Sequence, residues 1–451
     1  MSIEYDEKTK ASAELAAEDS NSNQGEMVNA SGHKQELERN FSLLSICAVA
    51  VTTGNTWIAQ GGSVVTALGN GGLAGTIYEF IAVSMCYWLV AASIAELASG
   101  MPSSSGVYHW ATITAGRYGR VCGFFAGWWN CLAWILGAAS MSFIMGQQVV
   151  SISNFDVWGD FDNKTGYTQP GFVFVLGMLN GAYSVGTPDC STHLAEEIPK
   201  PSRNIPKAVL AQMGVGFITG VCYMVAIFYS IQNRDDVANS KLFPLAEIYR
   251  QATGTGSGAV GLLVIAFIPT MITAAGCYIT AGRTLWTISR DRATPFPNWI
   301  GHISTKFQNP FNATLVCGCT VTILACIYMG SQTAFQAFVG CFAQLSSLSY
   351  FMAIFPHILS RRSSFVPGYF FMNNKIGFVV NTLACIYIIA FVIIFCFPFT
   401  AEFTAQDMNY ASLMTGGLSI FVAIWWFIRQ GSYEGPKNIP ITDKHVLEDA
   451  K

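Results

Sequence analysis

Asp189 and His193 are the two residues whose types and spacing come nearest to chemistry in this chain. They lie four residues apart within Gly177–Glu197, GMLNGAYSVGTPDCSTHLAEE. A helix resuming at Asp189 would set both on one face. A carboxylate or imidazole held there could exchange a proton at physiological pH. A plainer account makes Asp189 the N-cap of a second half-helix, since Asp is a favoured acceptor for first-turn amides. Glu96 and Glu197 are expected near a basic membrane face, where they could pair with Arg or Lys as an inner gate or simply stay solvated. Glu79 falls at the far end of the apolar run that ends near Glu96 and reads as exposed at headgroup level. Trp57 and Tyr183 offer aromatic faces suited to an amine or quaternary ammonium. Aromatics make up 13% of the chain, so both could equally fill helix contacts. No P-loop, nucleophile elbow or paired carboxylates stand out, so neither an ATP-driven pump nor a membrane hydrolase has support, and the chain is not expected to be an enzyme.

The elements that must position these residues are membrane helices. The chain is 52% hydrophobic and 11% charged, against roughly 25% charged residues in soluble proteins. No Asp, Glu, Lys or Arg occurs in Ser42–Gly69, Val121–Phe155 or Ala313–Ser360, and each stretch can hold a span of about 20 residues. Ten spans are expected: 43–68, 76–98, 121–149, 171–190, 208–231, 258–286, 313–330, 333–359, 376–397 and 410–428. They form one transmembrane domain, 41–430, between a polar, disordered tail at 1–40 and a tail at 431–451. No signal-peptide pattern precedes the first span, which is expected to act as its own signal anchor. Only Lys164, Arg234, Lys241 and Arg250 of the 24 Lys and Arg residues fall in external segments if both tails are cytosolic, which sets the orientation by the positive-inside rule. Asn163-Lys164-Thr165 is then an external glycosylation acceptor. The thirteen cysteines lie mostly in apolar runs and read as small hydrophobes. Cys317-Gly-Cys319 lacks zinc spacing. No metal, cofactor or nucleic-acid partner is expected; the net charge of -3 favours none.

Two spans are interrupted. In TTGNTWIAQGGS (Thr52–Ser63) and again from Asn180 to Pro188, glycine and proline weaken helix where a bilayer offers no water to a broken backbone. Such peptide must line a protein cavity, and two interrupted helices point to a solute site near the midplane. The half-helix after the first break would turn its positive end to an anionic group. The candidate binding residues are Thr53, Gly54, Asn55, Thr56 and Trp57 in the first break. In the second they are Asn180, Gly181, Tyr183, Ser184, Gly186 and Thr187. Close helix packing by small residues is the alternative use of these glycines.

Three blocks carry a resemblance. Ala95-Glu96-Leu97-Ala98-Ser99-Gly100-Met101-Pro102 runs on to Ser105-Gly106-Val107-Tyr108-His109-Trp110. Leu194-Ala195-Glu196-Glu197-Ile198-Pro199 continues through Pro201, Arg203, Asn204, Ile205 and Pro206. Arg283-Thr284-Leu285-Trp286 leads to Ser289-Arg290-Asp291 and Pro295. In order and wording they resemble the amino acid–polyamine–organocation permeases. GNTW and NGAYSVGTPDC…HLAEEIPKPSRNIPKA are similar to its fungal amino acid/choline branch, over Phe41 to about Arg429. The resemblance implies an all-α polytopic fold of two inverted five-helix repeats plus two C-terminal helices. It also implies proton symport of an amino acid, GABA or choline at the plasma membrane.

The chain departs from that pattern at one place. The third span ends near Gln147-Gln148-Val149 and Asp156-Val157-Trp158 follows at once, in a loop resembling the one before the family's sixth span. The family's fourth and fifth helices are therefore expected to be missing. Their loss would strip neighbours from the third span and from 258–286, and a truncated, non-transporting or receptor-like membrane protein is the alternative reading.

Overall fold

The computed structural model describes residues 39–62, 72–153, 170–233, 243–304, 308–327, 332–363, 367–398 and 408–436, with isolated positions 33, 36, 37, 236, 237 and 306. The glycosylation acceptor at 163–165, the Asp156 loop, most of both tails and the end of the first span lie outside these residues. In a bilayer core the backbone must satisfy its own polar groups, and the apolar runs accordingly become helices. In order these are α1 (Leu43–Gly54), α2 (Thr56–Gly62), α3 (Gly72–Gly100), α4 (Val107–Thr114), α5 (Gly119–Ser153) and α6 (Pro170–Val185). They continue with α7 (Pro201–Tyr229), α8 (Pro244–Thr253), α9 (Gly256–Arg290), α10 (Pro297–Ile300), α11 (Phe311–Ile327), α12 (Gln332–Leu359), α13 (Asn374–Ile394) and α14 (Ala411–Arg429). Among the described residues eight helices are long and apolar enough to cross a membrane. The shorter apolar helices Phe174–Val185 and Phe311–Cys326 stand where the fourth and seventh spans were expected. The all-α polytopic architecture is thus the one read from the sequence.

Starts and stops follow local chemistry. Ser42 caps α1 in a reciprocal capping box with Ser45, satisfying orphan amides at both ends of the exchange. Pro201 and Pro244 open α7 and α8, where the missing N–H is no loss. The core sits around α5, which packs chiefly against α12 and α9 and carries the buried Trp134. α3 packs against α7, α6 and α13, and α1 and α2 lie on α7. α14 turns Leu413, Ile420, Ile424 and Phe427 outward, as a lipid-facing helix does.

One expectation fails here. The third span is not stripped: 78% of the apolar window of α5 is buried, against 33% for α9. α9, α11, α12 and α14 already close around α5. α9 does expose Ile265, Ile268, Met271 and Ile272.

Candidate functional site

Asn55 breaks the first span. Its φ of 25° and ψ of 53° end α1, and its N–H still donates to the Val51 carbonyl. Asn is among the few non-glycine residues that tolerate positive φ. Thr53 and Gly54 finish α1 and Thr56 and Trp57 start α2, all buried except the half-buried Trp57. The Asn55 side chain donates to Thr273 Oγ1 at 2.6 Å, and that hydroxyl lies 2.8 Å from the Thr52 carbonyl.

The second break comes later than the sequence suggested. α6 stays helical through Asn180, Gly181, Tyr183 and Ser184 to Val185, and only Gly186 and Thr187 are unwound. Asn180 is held in the helix by a partner from the first broken span, donating to Gln60 Oε1 at 3.0 Å. Its carbonyl takes the Ser184 hydroxyl at 3.0 Å. Gly181 serves close packing, since a Cβ there would come within 2.4 Å of Val83. Beyond the break, turns lead into a 3-10 segment, Thr192–Glu197, in place of a second α-helix.

The unwound carbonyls are occupied. Tyr350 donates to Gly186 O at 3.2 Å, and Gln212 Nε2 donates to Thr187 O and Oγ1 at 2.8 and 2.9 Å. The same Nε2 would sit 2.7 Å from a Cβ on Gly54. Gln212, from α7, therefore stands between the two breaks.

Asp189 is not a cap. Its carboxylate accepts from Tyr350 (2.6 Å), Asn130 (2.8 Å), His193 Nε2 (3.1 Å) and Trp134 (3.4 Å), and none of these donors is a backbone amide. The residue is fully buried. The pairing with His193 expected from the spacing is present, from the turn at Asp189 to the 3-10 segment rather than along an α-helix. His193 Nδ1 lies 3.2 Å from the Ser104 carbonyl.

Trp57 and Tyr183 do not form one box. Tyr183 bonds Ser140 at 2.7 Å and packs edge-on to Phe342. Trp57 meets Tyr223 edge-on at 5.0 Å. With Tyr223, Ile227, Tyr249, Leu262 and Ile265 it lines a separate cavity of about 290 Å³.

At the Arg-rich end the glutamates are paired, not solvated. Arg283 holds Glu197 through two bonds at 2.6 and 2.9 Å. Arg290 holds Glu196 at 3.1 Å, and Arg362 holds Glu96. Tyr108 donates to Asp291 at 2.6 Å, and the Glu196 amide donates to Ser104 at 3.0 Å. The three sequence blocks are thus one ionic lattice. Burial pushes the His109 imidazole inside it down to about 4. Of the residues assigned to the tail, His33 reaches this lattice, meeting Asp291 at 2.9 Å, and Leu37 is buried.

Glu79 corrects another expectation. It is 1% exposed, where exposure was expected. Gly177 has no side chain to keep α6 away, and the carboxylate lies where a Cβ on Gly177 would come within 2.4 Å of it. Sequence reasoning also missed Gln212, Tyr350, Asn130 and Thr273. Only Arg283 and Arg290 carried a signal, through the third block.

A model of the family described as amino acid permease matches residues 41–164 and 151–419. The chain is similar to the choline transporter of Saccharomyces cerevisiae, 26% identical over 485 residues, covering 92% of this chain and 84% of that one. It is also similar to an amino-acid permease of Arabidopsis thaliana, 25% identical over 500 residues, covering 90% and 94%. Among solved structures, a manganese transporter of Eremococcus coleocola matches at a TM-score of 0.46 and 11% identity, covering 90% of this chain and 99% of that one.

Proposed function

The chain belongs to the amino acid permease family of membrane transporters, and from that premise we propose that it is a secondary active, proton-coupled transporter of a small amino acid, GABA or choline-like cation. The observation that carries this reading is Gln212, whose amide nitrogen bonds one broken helix at Thr187 and abuts the other at Gly54. Carbonyls of broken helices held by displaceable side chains are what an incoming amine needs. Exchanging one donor for another there is nearly neutral, whereas leaving the carbonyl bare is not. The substrate would enter between Thr53–Trp57 and Asn180–Thr187, displacing Gln212, Tyr350 and Thr273 from their carbonyls. The choline transporter and the amino-acid permease among its relatives support both substrate classes.

Access would alternate between two ends. The aromatic cavity beside Trp57 forms the outer approach, where tyrosine and tryptophan faces suit an organic cation. The Glu96, Glu196 and Glu197 pairs form the inner gate. Asp189 and His193, between them, are placed to sense which end is open. Both termini are cytosolic in this reading, and the membrane is the plasma membrane. Uptake of radiolabelled choline, GABA and neutral amino acids in permease-deficient cells tests it. One solute should be taken up saturably and faster at acidic external pH. Tags at residues 10 and 440 should be protected in the same cells and a tag at 163 accessible. No uptake of any solute above vector controls, or labelled termini, would sink the respective part.

A second reading has its own support. The alignments with both relatives run over 485 and 500 residues, more than the 451 of this chain. The family match also falls into two stretches that overlap only at 151–164. Both fit a chain lacking the fourth and fifth helices, which would bind solute but move it poorly or not at all.

A further inference from the structure

Two glutamates on α3 differ sharply in company. Glu96 is fully buried and accepts from Arg362 and from the Met372 amide at 2.8 Å. Glu79, almost five turns toward the other end, is equally buried, yet among the described residues neither carboxylate oxygen has a hydrogen-bond partner. It lies against the α6 backbone at Gly177. One turn along α6, Asn180 Oδ1 and its partner Gln60's Nε2 also lack partners.

No described charge answers Glu79. α2 and α6 contain no Asp, Glu, Lys, Arg or His. The charged or basic groups of the other packed helices are Arg203 and Lys207 on α7, Lys375 on α13 and His357 on α12, all at the Arg-rich end. The other titratable groups in the outer half of these helices are phenols and thiols. Tyr78, Cys86 and Tyr87 lie on α3, Tyr183 on α6, Cys222, Tyr223 and Tyr229 on α7, Cys341 on α12, and Cys385 and Tyr387 on α13. An ionised carboxylate buried without donor or cation is penalised by several kcal/mol, so the closed form requires the neutral acid.

From Glu79 a continuous seam leads to the second break. Glu79 meets Gly177, Val83 and Phe80 meet Gly181, and the Tyr87 hydroxyl would lie 3.3 Å from a Cβ on Gly186. A movement of α6 that opens the break outward parts this seam and wets its outer end.

We propose that Glu79 is a proton-binding site in the outer half of the molecule and the carrier of the coupling proton. When the seam is open, water solvates the carboxylate and a proton from the outer solution makes the O–H bond. Closing the seam around the neutral acid is then permitted, and when the second break opens inward, water reaching the acid along the seam breaks the same bond and carries the proton to the inner solution. The coupling rests on the transport reading above, whereas proton binding does not.

Infrared difference spectroscopy of the purified chain in lipid tests the proton site directly. At neutral pH the wild type should show a protonated-carboxyl stretching band that Glu79→Gln removes. Gly177→Ala, which crowds the carboxyl without changing it, should weaken or shift that band. In proteoliposomes with clamped voltage, an inward gradient of about one pH unit is worth about 1.4 kcal/mol and supports about tenfold accumulation per coupled proton. The ratio of gradient-driven accumulation to solute exchange should fall about tenfold in Glu79→Gln. Absence of the band, its survival in Glu79→Gln, or an unchanged ratio overturns the proposal. Loss of exchange in the wild type as well would sink the transport reading instead, with the band deciding on the proton site alone.

Discussion

Asp189 draws its partners from two separate helices and the 3-10 segment that follows it. Asn130 and Trp134 come from α5, Tyr350 from α12, and only His193 is local. Removing the carboxylate takes the acceptor from His193 Nε2 and Trp134 and leaves Tyr350 and Asn130 only the longer bonds to Gly186 O and Ser349 Oγ. A buried donor left unpaired carries a larger penalty than the net worth of its bond. Asp189→Ala should therefore lower stability by about 3 to 5 kcal/mol. Asp189→Asn should lose less, because the amide keeps one acceptor for Tyr350 and the imidazole can switch from donor to acceptor toward the new NH2. Thermal unfolding of the detergent-solubilised variants checks this ordering, and an alanine variant as stable as the asparagine one would contradict it. Tyr350 and Asn130 gave no warning in the sequence. Both sit in apolar runs, and only the chain's path through space brings them to Asp189.

At the scale of elements, the two breaks differ in what glycine does. Gly186 is unwound, and a Cβ there would lie 2.5 Å from the Ala182 carbonyl, a backbone atom that cannot yield. Gly54 ends α1, and its Cβ would strike the tip of Gln212, which can swing away. Gly54→Leu should fold and insert normally but lose solute binding, because it drives Gln212 off Thr187 and fills the space between the breaks. Gly186→Leu should lose binding and also unfold at a lower temperature. Normal binding in both would mean that the solute sits elsewhere. The existence of the breaks was legible because glycine and proline act locally. The end of α6 was not. Asn180 reads as a breaker, but Gln60, distant in the chain, keeps it helical. The burial of Glu79 was hidden likewise, since Gly177 makes the room for it. The three sequence blocks were visible as blocks, but the pairing of Glu197 with Arg283 and Glu196 with Arg290 needed the fold.

At the scale of the whole molecule, the proposed absence of the family's fourth and fifth helices bears on movement more than on stability. α5 has lost no cover, since α9, α11, α12 and α14 surround it. The bare face of α9 is apolar, and lipid solvates such a face about as well as another helix would. What α9 also does is form the wall of the first break. Thr273 bonds Asn55 and the Thr52 carbonyl, and a Cβ on Gly276 would fall 2.4 Å from Thr53 Oγ1. That wall is one helix thick, with Ile265, Ile268 and Met271 exposed behind it. When Gln212 leaves and the breaks open, α9 has no rigid body among the described residues to rock against, and unpaired backbone facing hydrocarbon is penalised by several kcal/mol per group. The closed form is then favoured over any open one, so the chain should hold solute but turn over slowly. Insertion after Gln148 of the two helices of a close relative preserves the Gln148 bond to Thr270 at 3.3 Å and supplies the missing backing. Initial uptake should rise at least about tenfold, equivalent to about 1.4 kcal/mol off the opening barrier, while solute affinity and the unfolding midpoint change little. Equal, saturable and solute-specific uptake by the chain as written and the restored one would show that α9 needs no support and that this shorter scaffold already rocks.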